Sequence, residues 1–419
     1  MFARMTATLL RRATTVHTDE TGAVGHREVD VRLEGGRIAD VAPAGGASAT
    51  SGAAADDVVD LAGHLLLPAA VEPHAHLDKA FLAERIANPT GDLLGAIEAM
   101  QANRHLLAVD ETIERAERAA RLMASNGYRA VRTHADLTVD HGLRSIEALG
   151  EVRRRVADVI DVEIVALCAA PVVGPAGADQ RALLREAMAA GADVVGGVPH
   201  LEDAGTRPAT DVLLQVATDA GASVDLHTDE TLDADVLGLL DLADAVDAGF
   251  ALPVTASHCV SLGAQGADRQ REIAERVAAA RIWVVTLPHT NLYLQGRGHA
   301  PMPRGLTAVD ALRRAGAVVA VGADNLQDPF NPVGRACPFE TAGLAMMAAH
   351  LLADEAWDGV CGSSAVATGR APQAIAVGEP ADLVAVPAAT LREAIATGPA
   401  ARLVWRAGRP LATRSPAAA

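Results

Sequence analysis

Aromatic residues are nearly absent from this chain of 419 residues: Phe, Trp and Tyr together make up 2%. A large core must therefore be filled with Ala, Val and Leu rather than rings, and half of the residues are hydrophobic, enough to fill one. Cysteine is scarce as well. Cys168, Cys259, Cys337 and Cys361 form no CxxC pair, which excludes a disulfide scaffold and fits a reducing, cytoplasmic setting. No apolar run approaches a membrane span, and the opening MFARMTATLLRRATTV is too short and interrupted for a signal peptide. Positive charge is in deficit, with 36 Lys and Arg against 53 Asp and Glu and a formal net charge of -17. Such a surface argues against nucleic acid and anionic membranes and favours a small-molecule substrate, neutral or cationic. The tail TRSPAAA is expected to fray.

What is present falls into two styles. Residues 5–16, 27–33 and 36–42 alternate polar and apolar around a Glu34-Gly35-Gly36 turn; residues 58–61 and 64–67 follow after a Gly/Ala/Ser loop from Gly45 to Ala55. Strands of the same kind return at Ala381–Val386 and Ala401–Gly408, so the two ends are expected to pair into one small β-sandwich. Between them, Val-rich strands alternate with Ala/Leu/Arg helical stretches. The strands fall at 67–73, 129–135, 162–167, 193–198, 223–228, 253–257, 282–287 and 317–322. Eight consecutive βα units predict an α/β fold closed as a (β/α)8 TIM barrel over residues 68–370, with the sandwich built from 1–67 and 371–419. An open doubly wound sheet is the alternative, but no GxGxxG follows an early strand.

Active sites of such barrels lie at the C-terminal ends of the strands, and polar residues collect there. The first strand ends in Glu72-Pro73-His74-Ala75-His76-Leu77-Asp78-Lys79. Residues two apart on a strand face the same side, so His74 and His76 can share one metal. The fifth strand ends in His227-Thr228-Asp229-Glu230, the sixth in Ser257-His258-Cys259 and the eighth in Gly322-Ala323-Asp324-Asn325. A lone strand-end histidine is more often structural than a ligand. Here the joint order is the signal, and His74, His76, His227 and Asp324 are the expected ligands. Imidazole nitrogen and carboxylate oxygen suit Zn2+ or Fe2+.

The stretches VEPHAHLDK, VRTHADL, DVVGGVPH, LHTDE, TASHC, NLYLQGR and GADNLQDPFNPVG, spread over residues 68–334, resemble the amidohydrolase superfamily, and within it the cytosine deaminase branch. The resemblance implies a metal-bound water that loses its proton near neutral pH and attacks an sp2 carbon carrying an amino group or ring nitrogen. His258 matches the histidine that positions the hydroxide, Asp324 the ligand that accepts the water proton, and Glu230 the glutamate that carries protons to the ring nitrogen and leaving amine. Two-metal relatives use a lysine or glutamate after the fourth strand; Val198-Pro199-His200 stands there, so one metal is expected. Asn291, Gln295 and Arg297 are expected to line or brace the mouth, His200 and His289 to touch substrate or serve structure, and His134 to lie behind the ligands.

Three departures bear on the substrate. Where pyrimidine-reading members carry a glutamine after the third strand, this chain has Cys168-Ala169-Ala170; Asn325 replaces a second aspartate; Phe330 replaces a tryptophan. The Asp324-Asn325 pair resembles the N-isopropylammelide amidohydrolases instead. Because a site lacking a hydrogen-bonding partner rejects the ligand that needs it, the expected substrate is an aminated N-heterocycle or cyclic amidine other than cytosine. Lys79 either meets an anionic group of the substrate or pairs with Asp78. Hydrolysis of a cyclic amide or N-alkyl amine is the alternative reaction, and a non-catalytic metal-binding scaffold the third reading. Outer helices of such barrels leave a homo-oligomer open.

Overall fold

The computed structural model describes residues 7–18, 24–45 and 55–411. Residues 5 and 6 of the first expected strand, most of the Gly45–Ala55 loop and the TRSPAAA tail lie outside the described residues. The N-terminal part supplies strands β1 (Thr8–Thr18), β2 (Val24–Glu34), β3 (Arg37–Pro43), β4 (Asp57–Asp60) and β5 (His64–Pro68). The barrel strands follow as β6 (Ala70–Ala75), β7 (Tyr128–Leu137), β8 (Asp161–Cys168), β9 (Val194–Gly197), β10 (Ser223–Thr228), β11 (Val254–His258), β12 (Trp283–Thr286) and β13 (Val319–Val321). The chain then returns in β14 (Leu383–Pro387), β15 (Leu403–Arg406) and β16 (Arg409–Pro410).

The terminal strands form one mixed sheet in the order β16-β15-β14-β5-β1-β2-β3, with β4 also on β1. A bulge between Leu10 and Ala13 lets the first half of β1 pair with β4 and the second half with β5. Leu10, Val31, Leu33, Ile38, Leu66 and Trp405 fill its core. This sheet is separate from the barrel, but β5 leads into it: Ala69 stands between β5 and β6 and donates its N–H to Asp382 O at 2.9 Å.

Strands β6 to β13 pair in parallel, in sequence order, each with the next. Their runs of Val, Ile, Leu and Ala are buried on both faces, as a parallel sheet jacketed by helices requires. The expected strands were therefore read in the right number and order, and the barrel is nearly closed. The seam is made beyond the last strand: Asp324 bridges Ala75 and donates its N–H to His74 O at 3.0 Å. Helices between the strands bury small and aliphatic residues such as Ala116, Ala119, Leu149, Leu184 and Val277. Packing close is what Ala-rich faces permit, and it answers the shortage of rings. All four cysteines are free and buried. No helix among the described residues is long and apolar enough to cross a membrane.

Candidate metal centre and active-site cavity

The strand ends deliver the expected residues to one place. His74 lies on β6 and His76 just past it; His227 is near the end of β10 and His258 ends β11; Asp324 follows β13. All five are at most 6% exposed. His258 and Asp324 have φ of 70° and 65°, with Asp229 and Cys259 at 51° and 49°. A left-handed backbone is unfavourable for a residue with a side chain, and its concentration at the barrel mouth marks a constrained site.

His76 Nε2 stands 3.3 Å from His227 Nε2 and 3.2 Å from Asp324 Oδ1. His74 Nε2 lies 3.6 Å from the same oxygen. His74 Nε2 and both oxygens of Asp324 are buried without a hydrogen-bond partner. Burial holds the His74 and His227 pKa values well below the ordinary range, and neighbouring imidazoles push them further down. Burial works against the Asp324 charge, but contact with His76 and His258 outweighs it and lowers its pKa. His74 Nε2 and the Asp324 carboxylate thus turn unanswered lone pairs toward a common point, beside the Nε2 atoms of His76 and His227. Buried convergence of this kind is unfavourable without a cation. The cluster is consistent with a divalent-metal site, and its nitrogen and oxygen donors fit Zn2+ or Fe2+.

Glu230 and His258 adjoin this point. Glu230 is 5% exposed, and its Oε1 lies 3.4 Å from His258 Nδ1. Burial, reinforced by the nearby Asp324 charge, raises its pKa well above that of an ordinary glutamate. Asn291 Nδ2 donates to His258 Nδ1 at 3.0 Å and reaches Glu230 Oε1 at 3.4 Å. An Nδ1 that accepts leaves the proton on Nε2, which faces Asp324 Oδ2 at 3.9 Å. Burial pushes the His258 pKa down to about 4, so it stays neutral at physiological pH.

Above the cluster opens a cavity of about 360 Å³. His76, His227, Glu230, His258, Asp324, Asn325, His200, Ala169 and Phe330 all line it. Gln295 and His289 do not stand in its wall. Gln295 donates to the backbone oxygen of Glu230 at 3.2 Å, and so braces the loop that carries that residue. His289 sits behind the Asp324-Asn325 turn, against a small void shared with Met123 and Glu340. Arg297 also braces: its guanidinium stacks on Tyr293 and donates to Gly91 O, tying the loop after β12 to the loop after β6. Gly91 is fixed by that contact, since its φ is 69° and a Cβ would meet the guanidinium at 2.6 Å.

Lys79 points its ammonium at Asp136 at 2.6 Å, with His76 Nδ1 at 2.9 Å and Asp78 at 3.9 Å. Burial opposes its charge, but Asp136 and Asp78 outweigh it and raise the pKa. Its pairing thus goes beyond the expected Asp78, and it also lies 5.7 Å from the Phe330 ring centre. His134 stacks on His74 with ring centres 3.8 Å apart. Asn325 spans Thr290 and Asp328, donating to Asp328 Oδ2 at 2.8 Å. Sequence reasoning missed the outer wall, where Leu93, Leu94, Ile97, Met100 and Gln101 of the helix Leu93–Ala102, with Arg104 of the turn after it, line the cavity. The period of that helix is visible in the sequence, but nothing in it says which strand end it covers.

The amidohydrolase family profile matches residues 81–412. A pterin deaminase of Rhizobium rhizogenes is 34% identical over 394 residues, covering 92% of this chain and 88% of that protein. The solved structure of a 5-methylcytosine deaminase from Klebsiella pneumoniae liganded with 5-fluorocytosine superposes with a TM-score of 0.84 at 28% identity, over 97% of this chain and 98% of the other. An N-isopropylammelide isopropylaminohydrolase from Burkholderia multivorans gives a TM-score of 0.79 at 29% identity, over 97% and 98%.

Proposed function

The chain belongs to the amidohydrolase family of hydrolases acting on C–N bonds, and from that premise we propose that it is a metal-dependent deaminase of bicyclic aminated N-heterocycles of the pterin class. The observation that carries the reading is Glu230: a buried carboxyl group, its pKa raised by that burial, beside a His/Asp cluster at the wall of a cavity. A group in that state donates a proton to a ring nitrogen, turning an amidine carbon into an electrophile, and later serves the departing amine.

His74, His76, His227 and Asp324 would hold the metal. When bound, a divalent cation supplies a Lewis acid that brings the pKa of water near neutrality. Asp324 keeps a second oxygen free for the proton that water gives up. His258, with Nδ1 occupied by Asn291, presents Nε2–H to the oxygen that adds to the carbon. Glu230, having spent its proton on the ring nitrogen, takes one from the hydroxyl of the adduct as the carbonyl forms and passes it to the amine; ammonia leaves, and the proton held by Asp324 restores the Glu230 carboxyl group. His200, Ala169, Asn325 and Phe330 border the ring, while the Leu93, Ile97 and Met100 wall excludes water from its far side.

The cavity and the pterin deaminase relative favour a bicyclic ring over a pyrimidine. The Asp324-Asn325 pair and the Burkholderia relative support a second reading, removal of an alkylamine from a triazine. The test is amine release by the zinc-loaded and the Fe2+-loaded chain from pterin, cytosine, 5-methylcytosine, isoguanine and N-isopropylammelide. Ammonia from pterin at the highest kcat/KM is expected. Isopropylamine from the triazine, with no ammonia from pterin, would replace the first reading by the second.

A further inference from the structure

Beneath the metal cluster the barrel interior holds a buried polar chain that the reaction does not use. His74 Nδ1 lies 2.9 Å from Ser257 Oγ. Ser257 Oγ donates to Asp225 Oδ1 at 2.8 Å. Arg132 Nη1 donates to Asp225 Oδ2 at 3.0 Å. The four side chains are 0 to 2% exposed. The strand period places them: Asp225 is two residues before His227 on β10, and Arg132 two before His134 on β7, so both point inward one layer below the mouth. Ser257 reaches across to β6 from the residue just before His258.

Hydrogen-bonding capacity fixes the direction of the chain. The Arg132 guanidinium, always protonated, also donates to Glu163, Thr255 and the Ala367 carbonyl, and its Nη1 keeps Asp225 an acceptor. Ser257 has a single O–H. Spent on Asp225, that proton leaves only oxygen lone pairs for His74. The imidazole must then supply the hydrogen from Nδ1, which leaves Nε2 bare and facing Asp324.

We propose that Asp225, acting through the Ser257 hydroxyl, sets the tautomer of His74 that can bind metal. Ser257 and Asp225 are positioning residues, and Arg132 anchors the far end. Carboxylate–histidine pairs behind metal sites commonly tune affinity by 10- to 100-fold; here a hydroxyl is inserted between the two. Asparagine at 225 keeps the shape but can offer an N–H to Ser257. The hydroxyl is then free to donate to Nδ1, and the proton of His74 moves to Nε2, where it blocks coordination.

The inference rests on His74 being a metal ligand, and the test separates the two. Zinc affinity of the full chain is measured by competition with a chromogenic chelator for wild type, Ser257→Ala, Asp225→Asn and His74→Ala. Weakening by about 10- to 100-fold is expected in both relay variants. If His74→Ala loses zinc but either relay variant stays within twofold of wild type, the relay is refuted and the ligand reading stands. If His74→Ala itself binds like wild type, the ligand reading fails and the relay with it. Histidine 15N shifts of the zinc-loaded wild-type chain give a measurement that needs no variant to fold: His74 bound through Nε2 with a proton on Nδ1 supports the relay, and coordination through Nδ1 overturns it.

Discussion

Replacing Glu230 with Gln keeps the volume and a hydrogen-bonding amide but removes the proton that the carboxyl group can give up. Among the described residues Glu230 has no cationic partner; its neighbours are the Asn291 amide and the neutral His258, each 3.4 Å away. General acid–base transfer by one positioned group is worth ~10²–10⁴ in rate. The corresponding rise in barrier is about 2.7–5.4 kcal/mol, and it should fall on kcat rather than on metal content. The carboxyl group does not reach the His/Asp cluster as a ligand, so zinc stoichiometry should be unchanged. Stability should move the other way. Burial raises the Glu230 pKa, so the folded chain keeps a proton that the unfolded chain releases above about pH 4.3. Rising pH therefore favours unfolding until the folded group itself ionises, and the Gln variant escapes this penalty. Steady-state ammonia release and thermal melting at pH 8 check both halves. A variant with kcat within threefold of wild type would refute the assignment of Glu230 as proton carrier, whatever its melting temperature.

Chelation should abolish activity and lower Tm, because a site filled at 100 times its Kd adds about 2.7 kcal/mol; calorimetry with and without chelator that shows one and the same Tm would count against a structural cluster of this kind. His200 donates Nδ1–H to His227 O at 3.0 Å, and burial lowers its pKa to about 4. The unfolded chain takes up this proton below about pH 6.5 and the folded chain does not, so wild-type stability falls between pH 6.5 and 4, by at most about 3 kcal/mol. His200→Gln should flatten that limb of a denaturant-midpoint-versus-pH curve. Asn325→Asp sets a carboxylate against Asp328, whose own pKa burial has pushed up to about 6. It should destabilise the chain by about 1–3 kcal/mol, more at pH 8 than at pH 5, as urea titrations at the two pH values will read.

The barrel and its His/Asp cluster were legible because both are written in short periods. A Val-rich strand announces itself within six residues, and a polar residue at its end stands out against the run, as His227 does after Val224 and Leu226. The order of those ends then carries the site. What was not legible is lateral. Asn325, expected to read substrate, does border the cavity, but the engagement of its amide by Thr290 and by Asp328 three residues on was not visible in the sequence. Gln295 and His289 share the mouth loops with true lining residues but turn to the backbone of Glu230 and to the void near Glu340. Arg132 and Asp225 were overlooked because they stand inside β7 and β10, below the strand ends where the site was sought. The wall formed by Leu93, Ile97 and Met100 depends on where a connecting helix comes to rest, which pairwise spacing does not encode.

The seam of the barrel has a consequence for how the molecule comes into being. Asp324 is at once the residue that bridges β6 to the far side of the sheet and a member of the His/Asp cluster, while His74 supplies both a carbonyl to that bridge and a ring nitrogen to the cluster. During synthesis the histidines of the first and fifth strands emerge before the carboxylate that completes their set. A nascent chain can gather imidazoles, but it acquires the full donor set only when its most distant barrel elements meet. Were the cluster to hold its cation, capture would be tied to completed topology, and the ion would act as a late clasp on the ring, telling finished barrels from partly wound ones.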